Sequence, residues 1–367
     1  MSVSVVRESA LAVVIFALLL SGSANAQQYH RTDLTANASS VSPSTPNINV
    51  DPNLVNAWGL SRASGSPWWV SDNGTGLSTL YNASGAPQSL VVKILTPDGK
   101  GTLAPTGTVF NPTTAFPVAP NVKAIFLFVT EDGTISGWNP AVNANAIVLK
   151  NRIGKAIYKG CAIAQGKSGP KFYAANFQSG RVEVFDAGFK KLHLDDDAFR
   201  LPGLSDDYAP FNIQNVGGNL VVTFAHREPG SKDEDHAPGL GFAGVFDRRG
   251  RLLLRLQHGP WFNAPWGVAL APGDFGPFSH RLLIGNFGDG TINAFDLMTG
   301  KHEGTMLDDG TGKALVIDGL WAISFGGDAT NNGLATSLYF TAGPNDENDG
   351  LLGNLTAVAS EQRGNSE

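Results

Sequence analysis

The sequence predicts an all-β protein, a six-bladed β-propeller, and three observations carry that expectation. A phrase built around Trp-Gly recurs along the chain, each copy is followed by the same succession of apolar run and tight turn, and the composition suits short strands. Of 367 residues, 44 are glycine and 21 proline, while only 16% are charged, which favours hairpins over long helices.

The phrase is clearest in Ala57-Trp58-Gly59-Leu60, Pro265-Trp266-Gly267-Val268 and Leu320-Trp321-Ala322-Ile323. Weaker copies fill the gap, and alignment on the glycine selects Gly59, Gly107, Gly160, Asn212, Gly267 and Ala322, at spacings of 48, 53, 52, 55 and 55 residues. A second apolar run follows each copy, at Trp68 to Val70, Ile125 to Val129, Phe172 to Ala175, Leu220 to Phe224, Leu282 to Ile284 and Leu338 to Phe340. Turn signals come next, such as Asp72-Asn73-Gly74 and Asn286-Phe287-Gly288-Asp289-Gly290, and then strands alternating with period two, as in Arg181 to Asp186 and Thr291 to Asp296. A small sheet cannot bury both of its faces alone, so six such units stack around an axis. A β-helix has much shorter repeats, and a sandwich would not restate one phrase six times.

A ring needs its ends joined. Tyr29 to Thr35 alternates like a strand and is expected to complete the last blade beside Leu351 to Val358, closing the propeller and removing two sheet edges.

The expected organisation is a cleaved signal peptide over residues 1–26, one propeller domain over 27–358 and a disordered polar tail over 359–367. Arg7 precedes the apolar run Leu11 to Leu20, and Ala24-Asn25-Ala26 offers the small-x-small pattern of a cleavage site, so the mature chain is expected to begin near Gln27. The apolar run is about half the roughly 20 residues a spanning helix needs. The expectation is therefore export to the periplasm or the extracellular space, with no membrane anchor in the mature chain. Cys161 is the only cysteine, which excludes an internal disulfide and leaves a large apolar core to hold the fold. The formal charge of -6 argues against nucleic acid and against anionic lipid as partners.

The phrases Val55-Asn56-Ala57-Trp58-Gly59-Leu60-Ser61, Asp72 to Asn82, Gly285 to Gly290 and Tyr339 to Glu347 resemble an uncharacterised, exported propeller family found beside PEP-CTERM sorting systems, itself similar to NHL-repeat propellers. The resemblance runs from about Asn53 to Gly353 and implies a bacterial origin and six blades, but no reaction. A PEP-CTERM anchor would need a terminal hydrophobic segment and basic residues, whereas the chain given ends in Glu361-Gln362-Arg363-Gly364-Asn365-Ser366-Glu367.

Propellers place ligands at one end of the axial channel, where loops between strands converge. The candidate ligand-binding residues there are Asn56, Asp72, Asn73, Glu131, Asn176, His226 and Asn286. In the metal-dependent hydrolases and lactonases among related propellers, carboxylates and amides from several blades hold calcium, and Asn56, Asp72, Asn176 and Asn286 would be the corresponding set here. The plainer reading of the same residues is turn chemistry, since asparagine at a strand end bonds its own backbone. No ring of glutamates occupies equivalent blade positions, and no Gly-x-Ser-x-Gly, phosphate loop or His-Glu-x-x-His is present.

Two further features are ambiguous. The excursion from His226 to Gly241 carries Asp233, Glu234 and Asp235 between His226 and His236, and reads as a solvated loop, a lid or a cation site. Trp58, Trp266 and Trp321 share one repeat position and either pack the axis or offer a platform to a flat ligand or sugar. The expected function is thus a monomeric binding or interaction module of the cell envelope for a protein, glycan or small ligand. The alternative is a calcium-dependent hydrolase or lactonase with its site on the axis.

Overall fold

The computed structural model describes residues 28–228 and 230–358; the expected signal segment and tail lie outside the described residues. Six antiparallel sheets follow one another along the chain as six blades. Their innermost strands are Ala57–Ser61, Pro105–Phe110, Tyr158–Gly166, Tyr208–Val216, Pro265–Leu270 and Leu320–Phe325, one for each copy of the repeated phrase.

The repeated small residue has a steric cause. A Cβ on Gly59 would stand 2.4 Å from the Thr106 carbonyl oxygen, and one on Gly107 would stand 2.8 Å from the Cys161 nitrogen. Inner strands of consecutive blades therefore meet backbone to backbone around the axis, too closely for most side chains. Where the glycine is replaced, Asn212 turns its amide to donate to the Trp266 carbonyl at 2.8 Å.

The ring closes as the sequence predicts. The strand Gln28–Ala36 lies antiparallel to Leu351–Ala357, with Tyr29 opposite Ala357 and Ala36 opposite Leu351. The last blade thus takes its outer strand from the start of the described chain, and the Tyr29 hydroxyl donates to the Phe275 carbonyl of blade five at 3.0 Å.

Alternation along each strand puts one face toward each neighbouring blade. Between blades one and two, Trp69, Leu80, Phe126, Phe128 and Trp138 pack together; between two and three lie Leu127, Tyr158, Cys161 and Phe172. Cys161 is buried there, and burial raises its thiol pKa. A separate cluster of Trp58, Phe177, Phe211, Trp266 and Trp321 fills the axis. Below it the axis holds a cavity of only about 20 Å³, lined by Gly59, Gly107, Cys161, Asn212 and Trp266 among others. The propeller is plugged rather than perforated.

Candidate functional site

The residues just before the repeated position read Trp58, Thr106, Lys159, Phe211, Trp266 and Trp321; the four aromatics pack together on the axis and Lys159 lies against them. Three tryptophans and a phenylalanine form the plug. Trp58 stacks on Trp321 with ring centroids 3.6 Å apart, and Trp266 meets Trp58 edge-on at 6.2 Å. Both the Trp58 and Trp321 indole N–H groups donate to Asn56 Oδ1, at 2.9 and 3.0 Å. Asn56 has φ 48°, a left-handed conformation that asparagine tolerates, and so delivers one acceptor to two buried donors.

Lys159 is the exception in this ring. It carries a charge where four of the other five blades carry aromatic residues, and its side chain is only 1% exposed. Its ammonium lies 2.8 Å from Glu131 Oε1, 3.5 Å from Glu234 Oε2 and 3.8 Å from Asp233 Oδ1. Aromatic faces surround it from below, with the Trp58 centroid 4.9 Å away, Phe177 5.6 Å and Phe211 5.9 Å. Burial would lower the lysine pKa, but Glu234 and Glu131 more than offset that and hold it above its ordinary value, so the charge is kept.

A polar chain leads away from this ammonium across blades one, two and six. Glu131 Oε2 accepts from Asn73 at 3.1 Å; the Asn56 amide lies 3.4 Å from Asn73 Oδ1 and donates to Glu347 Oε1 at 2.9 Å. Burial pushes the Glu131 carboxyl up, yet Lys159 and Lys232 together bring it down to about 2. Glu347 moves the other way, raised by burial.

The excursion in blade four is an ordered strap over this site. Its stem pairs His226 with Asp235 and Arg227 with Glu234, and its far end is tied to blade five by the Gly239 amide donating to the Phe262 carbonyl at 2.7 Å. Between these anchors Lys232 donates to Glu131 Oε2 at 2.9 Å, Glu234 is buried against Lys159, and His236 meets Phe287 edge-on. Burial raises the Glu234 carboxyl to about 7, against the pull of Lys159.

Of the residues nominated from sequence, Asn56, Asn73 and Glu131 are thus joined in one network. Asp72, Asn176 and Asn286 are not. Each precedes the inward-facing residue of its turn by one position, and its side chain serves local structure. Asp72 Oδ2 accepts from the Thr79 amide, Asn176 Oδ1 from the amides of Ile157 and Ser179, and Asn286 Oδ1 from the Asn263 amide. His226 packs edge-on against Tyr208, 3.5 Å from Asp235 in the strap stem, and His258 stacks on Phe242. Among the described residues, no group of three His, Cys, Asp or Glu is placed to hold a metal. Sequence reasoning passed over Lys159, Lys232 and Glu347. A charged residue at a repeat position otherwise rich in tryptophan was the signal for the first.

A depression of about 810 Å³ lies elsewhere, on the rim of blades three and four. Two of its arginines are already matched, Arg200 with Asp206 and Arg251 with Asp247. The axial cluster brings buried charge from separate blades to one point, which is the stronger mark of a site.

A plugged axis under a polar face defines the chain as a six-bladed β-propeller. It belongs to the family of two viral proteins of Acanthamoeba polyphaga mimivirus. "Uncharacterized protein R648" is 30% identical over 321 residues, covering 84% of this chain and 76% of the relative. "Uncharacterized protein L690" is 32% identical over 320 residues, covering 83% and 81%. No family model matches the chain. Among solved structures it is similar in fold to a streptogramin B lyase, at a TM-score of 0.52 and 12% identity, covering 90% of this chain and 99% of that one. The bacterial origin implied by the resemblance is not a property of these two relatives, which are viral.

Proposed function

We propose that this chain is an exported ligand-binding propeller whose working face is the axial end bearing Asn56, Asn73, Glu131, Lys159 and Glu347. The observation that carries the reading is the buried Lys159-Glu131 pair, supplied by two blades and covered by a strap from a third. Burying charges is costly, and replacing such a pair with apolar residues is often neutral or stabilising, so stability alone is a weak reason for one here. A site that must recognise a charged partner is a better reason. Export, and membership of the exported propeller family of PEP-CTERM neighbourhoods, are part of this proposal and rest on residues 1–26 and the phrases quoted above.

The calcium-dependent hydrolase or lactonase is the alternative, and the residues present do not fit the ion. The side-chain oxygens of Asn56, Asn176 and Asn286 already accept N–H donors, and Asp72 Oδ2 accepts the Thr79 amide. That leaves only Asp72 Oδ1 unpartnered in the set, far short of the roughly six to eight oxygens calcium takes. The oxygens that do converge on the axis surround a lysine ammonium, which would repel a divalent cation.

The test is a thermal-shift and calorimetric screen of carboxylates, peptides and glycans on the purified chain, repeated on Lys159→Met and Glu131→Gln. Ligands lost by both variants, and retained by Gln214→Ala at the opposite axial end, support the axial face. Ligands that bind all three alike overturn it. Metal analysis with a chelator addresses the alternative; one tightly held calcium whose removal lowers the melting temperature would restore the hydrolase reading.

A further inference from the structure

We infer that the strap turn Lys232-Asp233-Glu234 holds the place of the ligand, and that the axial site takes a segment of another protein carrying a basic side chain followed, two residues on, by an acidic one. This rests on the axial face being the binding face, and adds what it recognises.

The strap supplies the fit. Its Lys232 ammonium reaches Glu131 Oε2 at 2.9 Å, and its Glu234 carboxylate reaches toward Lys159. The body of the propeller therefore presents one acceptor, Glu131 from blade two, and one donor, Lys159 from blade three, to a basic-x-acidic segment. Any peptide of that pattern in the same backbone conformation meets the same two groups, and Lys159 is already held by the Trp58, Phe177 and Phe211 faces, so its side chain need not be ordered on binding.

The strap is also an imperfect occupant. Charge-assisted N–H to carboxylate bonds run at about 2.7–2.9 Å, whereas Glu234 stands 3.5 Å from Lys159. Glu234 is buried near the like charges of Glu131 and Glu347, and the Lys232 and Asp233 side chains are each about half exposed. An acidic side chain approaching Lys159 to full hydrogen-bond length would bind better than the strap does. The turn is stapled to itself by the Glu228 amide donating to the Asp233 carbonyl at 3.2 Å, and by Ser231 Oγ bonded to Asp233. It can therefore leave as a hairpin about its stem at His226 and Arg227. Because it is tethered, it competes at high effective concentration, so outside segments are held off until they bind more tightly.

The probe is a fluorescent peptide of residues 227–236, Arg-Glu-Pro-Gly-Ser-Lys-Asp-Glu-Asp-His, alongside a second peptide with the three central charges reversed. Anisotropy titrations use the full chain and a strapless variant in which 228–235 is replaced by Asn-Gly. The strapless variant is expected to bind the first peptide at least about tenfold more tightly than the full chain, to ignore the reversed peptide, and to lose binding on adding Glu131→Gln. A strapless variant with native near-ultraviolet dichroism that ignores the first peptide at millimolar concentration, or takes both peptides alike, overturns the inference. Should that variant fail to fold, Lys232→Ser with Glu234→Ser keeps the strap length, and the same outcomes apply. If the opened protein binds members of the carboxylate and glycan panel through Glu131 and Lys159 but not the peptide, the segment inference falls and the binding module stands. Binding of neither removes both.

Discussion

Lys159 and Glu131 form a contact of 2.8 Å between two side chains that are 1% and 5% exposed, each from a different blade. Removing one partner leaves the other charge buried. Lys159→Met and Glu131→Leu are each expected to destabilise the fold by about 3–5 kcal/mol, while the double variant that combines them recovers much of that loss. Urea denaturation of the four proteins measures it; additive losses in the double variant would contradict the coupling.

Strap closure depends on pH through Glu234. Its carboxyl rises from 4.5 to about 7 on closing, so the closed form binds a proton that the open form has released. That contribution, of order 3 kcal/mol, is complete below about pH 4.5 and is lost as pH rises through 7. The groups facing it are Lys159, Glu131, Asp233 and Glu347, and Glu347 is shifted in the same direction. Glu131 acts oppositely: its contribution is complete above about pH 4.5 and is lost as pH falls toward 2. Amide exchange in residues 230–236 should therefore quicken between pH 6 and 8 beyond its intrinsic pH dependence. Glu234→Gln should flatten that excess; an unchanged excess would count against the assignment.

Asn56 serves two indoles with one oxygen while holding a left-handed backbone angle. Asn56→Ala leaves two buried N–H donors without an acceptor and puts alanine at φ 48°, for an expected cost of about 2–4 kcal/mol. Denaturant midpoints give the cost, and tryptophan fluorescence should report the altered Trp58-Trp321 stack. A loss under about 1 kcal/mol would mean that water replaces the amide readily.

Gly107→Ala tests the closeness of the inner strands. The added Cβ meets the backbone of Gly160 and Cys161 at 2.8–3.1 Å, so blades two and three must move apart, at about 1–3 kcal/mol. Gly65, whose Cβ would meet nothing within 4 Å, is the control, and Gly65→Ala should change the melting temperature little.

The architecture was legible because its cause is local and repeated. Inner strands must lack bulk where they meet, so Gly59, Gly107, Gly160 and Gly267 fall at one position, and each hairpin carries its own turn residues. The closing strand was legible too, from alternation between Tyr29 and Thr35. The site was legible only in part. Asn56, Asn73 and Glu131 came from asking which polar residues sit at blade ends, but that question does not tell an axis-facing residue from its neighbour one position away. It therefore also returned Asp72, Asn176 and Asn286, each of which accepts a backbone amide through one side-chain oxygen. Lys159 lay hidden in the apolar run Tyr158-Lys159-Gly160-Cys161, where strand character outweighed a single charge. The excursion from His226 to Gly241 was legible as an insert, with a lid among its readings, but its contacts were not, because nothing local to Lys232 or Glu234 names partners in blades two and three.

The joint between Gln28–Ala36 and Leu351–Ala357 also imposes a timetable. Of the described chain, the sealing strand leaves the ribosome first and its partner nearly last, so the earliest segment must wait for almost the whole polypeptide before it can pair. Until then the growing ring has two unsatisfied edges, and its final contact is about as non-local as the chain allows. Completion is therefore a late, slow event that cannot precede the synthesis of Leu351–Ala357. A polypeptide obliged to stay open that long is exposed to mispairing with a second nascent copy.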